Sequence, residues 1–133
     1  MIATVRQVYV SRSIKEYTVA LGRATRDSGL LRLGASPRSM LQLLRAATAT
    51  AALEGRDYVL PDDVVSVAEA VLAHRIILDR KAASTGETAQ SVIRAVLAKI
   101  PVSPEMAAAP ASPGRAAGGR VAAAPAATLP DRR

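Results

Sequence analysis

Apolar side chains recur along this chain at steps of three and four, a period that fits helices and little else. Val10, Ile14, Tyr17, Leu21 and Ala24 form one such stripe, which predicts a helix beginning near Ser11 or Ser13. "RDSG", residues 26–29, is read as its stop, with Gly29 free to take a positive φ. Met40, Leu43, Leu44, Ala47 and Ala51 predict a second helix from Pro37 to about Glu54, closed by Gly55. Val64, Val67, Ala68, Val71 and Leu72 predict a third, from Pro61 to about Leu78. Ala89, Val92, Ile93, Val96, Leu97 and Ile100 predict a fourth over 88–99, which Pro101 ends. "LLRLGA" and "RDYVL" read as short extended connectors. Pairing of 30–33 with 57–60 would give a tiny two-stranded patch, and "DRKAASTGET" reads as a polar loop. The fold class expected is all-α, a four-helix bundle.

Composition sets the character of the core. Half of the 133 residues are apolar, but many are alanine, with no Phe, no Trp and three Tyr. Alanine favours helix and buries little area, so Leu, Val and Ile must supply the core. Zero cysteines excludes disulfides and thiol chemistry, and a single histidine argues against a His-rich metal site. "MIATVRQVYVSRSIKEY" has no apolar run long enough for a signal peptide or a membrane span, so a cytoplasmic location and no membrane partner are expected. The net charge of +7 is dispersed. From Val102 to Arg133 the chain is Ala, Pro and Gly, with Val102, Met106, Val121 and Leu129 as its sizeable apolar residues. That is too little to offset the entropy of ordering. A helical domain over 1–101 and a disordered tail over 102–133 are expected.

Few residues carry legible chemistry. "GLLRLGAS", residues 29–36, has the glycine spacing of a phosphate-binding loop, but Ala35 stands where that loop needs lysine and Pro37 removes one backbone N–H. A loop leading into a helix is the better reading. His74, the lone imidazole, falls late in the third predicted helix, where a cation is mildly favoured. Asp62 and Asp63 are adjacent, so they diverge on a helix; first-turn capping explains them better than acid–base pairing. No catalytic residue and no metal ligand set is assigned.

Arg38 is the exception. It follows Ser36, a good N-cap, and Pro37, a good first helical residue. A cation there faces the positive end of the helix dipole. One reading is a surface arginine, or a salt bridge to Asp27 or to Asp62/Asp63. The other is an anion shared between the guanidinium and the helix N-terminus, for which phosphate is well suited.

"LGASPRSMLQLLRAATATAALEGRDYVLPDDVVSVAEAVLAHRIIL", residues 33–78, resembles the C-terminal lid domain of the MoxR family of AAA+ ATPases. The likeness extends upstream through "VSRSIKEYTVALGRATR" and downstream to "SVIRAVLAKIPV", and so covers nearly all of 5–102. "GASPR", "GRDYV" followed by "PDDV", and "VLAHR" are its specific marks. The resemblance implies that Arg38 is the sensor-2 arginine, reaching the γ-phosphate of ATP held by the ATPase domain. It also implies a lid that closes over adenine, with Tyr17 as a candidate for that wall; packing of the Tyr17 ring in the core is the alternative. It further implies ATP and magnesium as cofactors in the full-length context, with none bound by this chain alone. The implied partners are an ATPase core, a homo-oligomeric ring and a client protein.

Two departures stand out. The chain has no "GK" dipeptide, and Met1 falls where the ATPase domain should be finishing. A truncated gene, a misplaced start and an orphan lid all fit, and no ATPase activity is expected of this chain alone. Leu60 replaces the Thr or Ser usual before "PDD", which costs the third helix an N-cap hydroxyl. A small basic helical module binding nucleic acid or serving as an adaptor is the rival reading. Its arginines are dispersed and it lacks an aromatic stacking platform.

Overall fold

Ser11 opens the first helix by accepting the Ile14 N–H on its Oγ at 3.2 Å. In this computed structural model, which describes residues 5–108, that helix is α1 (Arg12–Asp27). Its buried side is Ile14, Tyr17, Thr18, Leu21, Gly22 and Thr25, and Arg26 in the last turn complements the dipole. The elements β1 (Leu31–Leu33), α2 (Pro37–Leu53) and α3 (Pro61–Leu72) follow. They are succeeded by β2 (Ile77–Leu78), α4 (Arg80–Ser84), α5 (Ala89–Lys99) and the single turn α6 (Pro104–Ala107).

Each long helix has identifiable ends. Ser36 caps α2 through Ser39 N–H at 3.2 Å. At the other end Gly55 takes φ +74° while Arg56 N–H reaches Ala51 O at 2.9 Å and Gly55 N–H reaches Ala52 O at 3.0 Å. This pair of bonds satisfies the last carbonyls of the helix and needs a left-handed residue, which glycine supplies. Gly86, φ +87°, repeats the arrangement after α4. Thr88 caps α5 by accepting Ser91 N–H at 3.0 Å.

The core is aliphatic, as the composition requires. Ile14, Tyr17 and Leu21 of α1 meet Met40, Leu43, Ala47 and Ala51 of α2, Val64, Ala68 and Leu72 of α3, and Val92, Ile93 and Val96 of α5. Val59 and Ile76 enter from connectors. Ala47, Ala51 and Ala68 are fully buried, and α2 and α3 form the most extensive helix pair. Small side chains at these positions let the two backbones approach closely, so alanine adds packing where it adds little area.

Several expectations are corrected. β1 pairs with β2, Leu31 opposite Leu78 and Leu33 opposite Ile77, and not with 57–60. The reason is length. Residues 30–33 and 57–60 flank opposite ends of α2, whose 17 residues span roughly 25 Å. Residues 57–60 are extended, but their partner is the segment before α1: Tyr9 N–H donates to Asp57 O at 2.7 Å and Val59 N–H to Tyr9 O at 3.0 Å. The third helix stops at Leu72, not near Leu78, so His74 lies in an exposed turn. Ile76, Ile77 and Leu78 are consecutive apolar residues, which a helix would scatter around its circumference. Here Ile76 fills the core and the next two pair with β1. Gly29 does not take positive φ; α1 ends on an extended Ser28. The polar loop at 79–88 contains α4, capped by Asp79. Residues 104–107 form a helical turn that brings Met106 against the core. The rest of the expected tail, 109–133, lies outside the described residues.

Candidate functional site

Arg38 occupies the second position of α2, directly after Pro37. Its side chain is exposed. Among the described residues the ion pairs are Arg12–Glu16, Arg56–Glu54, Arg56–Asp63 and Arg94–Glu69, none of which involves it. Asp27 and the Asp62/Asp63 pair, its candidate partners, lie beyond ion-pair distance. The local N–H groups are largely spent. Pro37 has none, Ser39 N–H goes to Ser36 Oγ at 3.2 Å and Met40 N–H to Ser36 O at 3.1 Å. Arg38 therefore presents an open guanidinium beside its own backbone N–H, a donor set that fits a phosphate oxygen.

The mouth of α2 is fixed from behind by the last turns of α1. Thr25 is 1 % exposed, and its hydroxyl accepts Ala35 N–H at 3.0 Å while donating to Gly22 O at 2.7 Å. Gly34 lies against the Arg26 backbone so closely that a Cβ there would fall 2.7–2.8 Å from Arg26 atoms. Met40 packs over Gly22, with its sulfur 2.9 Å from where a Cβ would sit. None of these three α1 residues was singled out in the sequence. The available signal was a glycine and a threonine three apart on the buried side of a helix, where both are poor helix formers.

Tyr17 is 3 % exposed, and its ring belongs to the core. Its hydroxyl is buried and has no hydrogen-bond partner among the described residues. Burial, and secondarily the Asp62 carboxylate, pushes the phenol above its ordinary range. Tyr17 and Arg38 are not brought together by any hydrogen bond.

Asp62 and Asp63 diverge as expected. Asp62 is exposed, whereas Asp63 is 3 % exposed and accepts from Arg56 Nη1 at 2.7 Å, Arg56 Nη2 at 2.6 Å and Leu60 N–H at 2.7 Å. Leu60 offers α3 no capping side chain, so Asp63 reaches back to satisfy that N–H. Burial alone would raise the Asp63 carboxyl, but the Arg56 fork and the Leu60 N–H outweigh it and hold the group below its ordinary range. Arg56, bonded by Asp63 and Glu54, is held above its own. This pair is structural: it ties the end of α2 to the start of α3. Arg75, in the "VLAHR" turn, has a buried Nε without a partner among the described residues. No group of three or more His, Asp or Glu able to hold a metal occurs among the described residues, and none of their helices is long and apolar enough to cross a membrane.

Comparison with known proteins finds a family model, curated relatives and a solved structure similar to this chain. The model of the AAA lid domain family matches residues 23–96. YeaC of Bacillus subtilis, an uncharacterized protein, is 40% identical over 100 residues, covering 74% of this chain and 31% of its own length. Chaperone MoxR1 of Mycobacterium tuberculosis is 36% identical over 98 residues, 67% of this chain and 26% of its own. Protein MoxR of Paracoccus denitrificans is 49% identical over 74 residues, 55% and 22% respectively. The crystal structure of a "putative ATPase" from Cytophaga hutchinsonii superposes with a TM-score of 0.71 at 33% identity, over 76% of this chain and 33% of that one. The chain thus spans a third or less of the length of these relatives. Matched by the family model over more than half its residues, the chain belongs to the AAA lid domain family and is the lid region of a MoxR-family AAA+ ATPase.

Proposed function

We propose that this domain is the nucleotide-sensing lid of a MoxR-type AAA+ ATPase, with Arg38 as its sensor-2 residue. The observation that carries the reading is the exposed, unpaired guanidinium at the mouth of α2. A cation at the positive end of a helix is mildly unfavourable unless an anion offsets it. A phosphate presented by the ATPase core removes that penalty and accepts from both Arg38 N–H and the guanidinium fork. ATP with magnesium would supply the transferable γ-phosphoryl group, with the metal held by the ATPase core as the family resemblance implies. Arg38 has partners while the γ-phosphate is present and none after it leaves. The lid, packed around one core, moves as a rigid body between those states.

Tyr17 stands behind the nucleotide-facing surface in this reading. Its buried ring backs the adenine wall; it does not form a stacking face. Hydrolysis requires a P-loop lysine that this sequence lacks, so the 133-residue chain alone turns over no ATP. The ring assembly and the chaperone-like remodelling of a client are carried over from the family as part of the proposal. The nucleic-acid alternative is not favoured: Arg45 and Arg38 share a helix with no aromatic platform beside them.

In a full-length enzyme bearing this lid, Arg38→Ala is expected to lower kcat by about a hundredfold, the loss typical of one preorganised charge-stabilising donor. Lid stability should shift by no more than about 0.5 kcal/mol, as for an exposed side chain without partners. Unchanged turnover together with a lowered melting temperature would overturn the assignment.

A further inference from the structure

The backbone position from which the Arg38 side chain departs is set before its own helix begins. Ala35 is fully buried, and its N–H ends on the Thr25 hydroxyl. Ser36 is held by its capping bond, and the ring of Pro37 fixes φ. Between the Thr25 hydrogen bond and the Arg38 Cα there is almost no torsional freedom. The contacts on α1 are not scattered. Gly22, Thr25 and Arg26 lie at i, i+3 and i+4 and so form one stripe, against which Met40, Ala35 and Gly34 are seated.

Thr25 also differs from the other buried threonine of α1. Thr18 Oγ1 donates to Ile14 O at 2.8 Å and stays within its own helix. The Thr25 hydroxyl donates within α1 and still has a lone pair to accept from another segment. A valine at 25 fills the same volume but leaves Ala35 N–H buried without an acceptor.

We propose that Thr25 is a positioning residue for Arg38, and that the Gly22/Thr25/Arg26 stripe couples phosphate contact at the mouth of α2 to the attitude of α1. The inference rests on the phosphate-sensing reading of Arg38. It goes beyond that reading by assigning the placement of the Arg38 backbone to a residue that touches no nucleotide. An anion bound at Arg38 pulls on a segment pegged to α1, so α1 receives the signal directly.

The test uses the 133-residue chain with millimolar tripolyphosphate, a stand-in for the phosphate that the ATPase core would present. Chemical shifts of the Arg38 Nε and of the amides of Ala35, Ser36, Arg38 and Ser39 are followed during titration. In the wild type these signals move with a saturable, weak isotherm. Thr25→Ser keeps the acceptor and should bind as the wild type does. Thr25→Val should bind about fivefold more weakly, because the donors are no longer preorganised, and its Ala35 amide should exchange faster. Thr18→Val, buried in the same helix but bonded only within it, controls for lost stability and should leave the isotherm unchanged. Should Thr25→Val fail to fold, Thr25→Cys, with a poor sulfur acceptor, replaces it under the same expectation. Equal affinity in the wild type and the folded Val or Cys variant would overturn the positioning role while leaving phosphate sensing intact. So would equal weakening by Thr18→Val. If Arg38→Ala titrates like the wild type, the phosphate-sensing reading fails, and the positioning role fails with it.

Discussion

Arg56 and Arg38 lie 18 residues apart, and the first of them shows what a guanidinium does when this fold supplies a carboxylate. The Arg56 side chain is 19% exposed and forks onto an Asp63 side chain only 4% exposed, with Glu54 on its open side. Tyr58 lies beneath it, 6.0 Å from ring centroid to guanidinium carbon. Breaking such a pair from one side leaves a charge largely out of water without its counter-ion. Asp63→Asn is therefore expected to destabilise the domain by about 2 kcal/mol, the amide still accepting one of the three bonds. The pH dependence follows from the depressed Asp63 carboxyl. Its folded-state value lies below its unfolded one, so the contribution is fully present above about pH 4 and is lost as the pH falls through the folded value. Thermal melts between about pH 7 and pH 5 should leave the wild-type midpoint unaffected by this group, with a decline at lower pH that Asp63→Asn shares only weakly. An acid limb of equal steepness in both proteins would remove Asp63 as its source.

At the scale of elements, the ends of helices separate what was legible from what was not. Gly55 was expected to close α2, and it does, in the left-handed conformation. Gly29 was given the same role after α1, yet its φ is ordinary and a Cβ there would meet nothing within 4 Å. The turn at 28–31 is closed by Leu31 N–H on Ser28 O at 3.2 Å and needs no glycine. The two positions should consequently respond in opposite directions. Gly29→Ala should stabilise by about 0.5 kcal/mol through the unfolded chain, whereas Gly55→Ala should cost about 1 kcal/mol by forcing alanine into positive φ. Denaturant midpoints of the two variants check both signs. Local signals read Ser36 as a cap and narrowed the start of α1 to Ser11 or Ser13, because a capping serine acts within three residues of itself. The partner of β1 was not legible, because it depends on which connectors lie at the same end of α2. The same limit applies to the site. Arg38 stood out by its own position, while Thr25 and Gly34 matter only through segments that the fold brings to them.

For the molecule as a whole, the helical core is joined by segments near both ends of the described residues. Before α1, Tyr9 is stitched to the 57–59 connector. After α5, the chain turns back so that Met106 of α6 lies partly buried against the core. Composition placed everything beyond Val102 in a tail, since one methionine among alanines and prolines cannot order a segment by itself. It does not need to: α6 is a single turn whose N-terminus is set by Pro104, and it packs onto α1 rather than standing alone. If that contact forms part of the cooperative unit, Met106→Ala should lower the unfolding free energy by about 1 kcal/mol, as expected for a partly buried methionine. The denaturant slope and the single transition should be unchanged. Leu53→Ala removes a side chain that is 71% exposed at the end of α2 and should do almost nothing. A Met106→Ala variant as stable as Leu53→Ala would mean that the domain closes at Pro101, and that α6 rests on α1 without bracing it. Since α1 carries the stripe that seats the mouth of α2, the same pair of variants reports whether α6 stiffens the helix on which Arg38 depends.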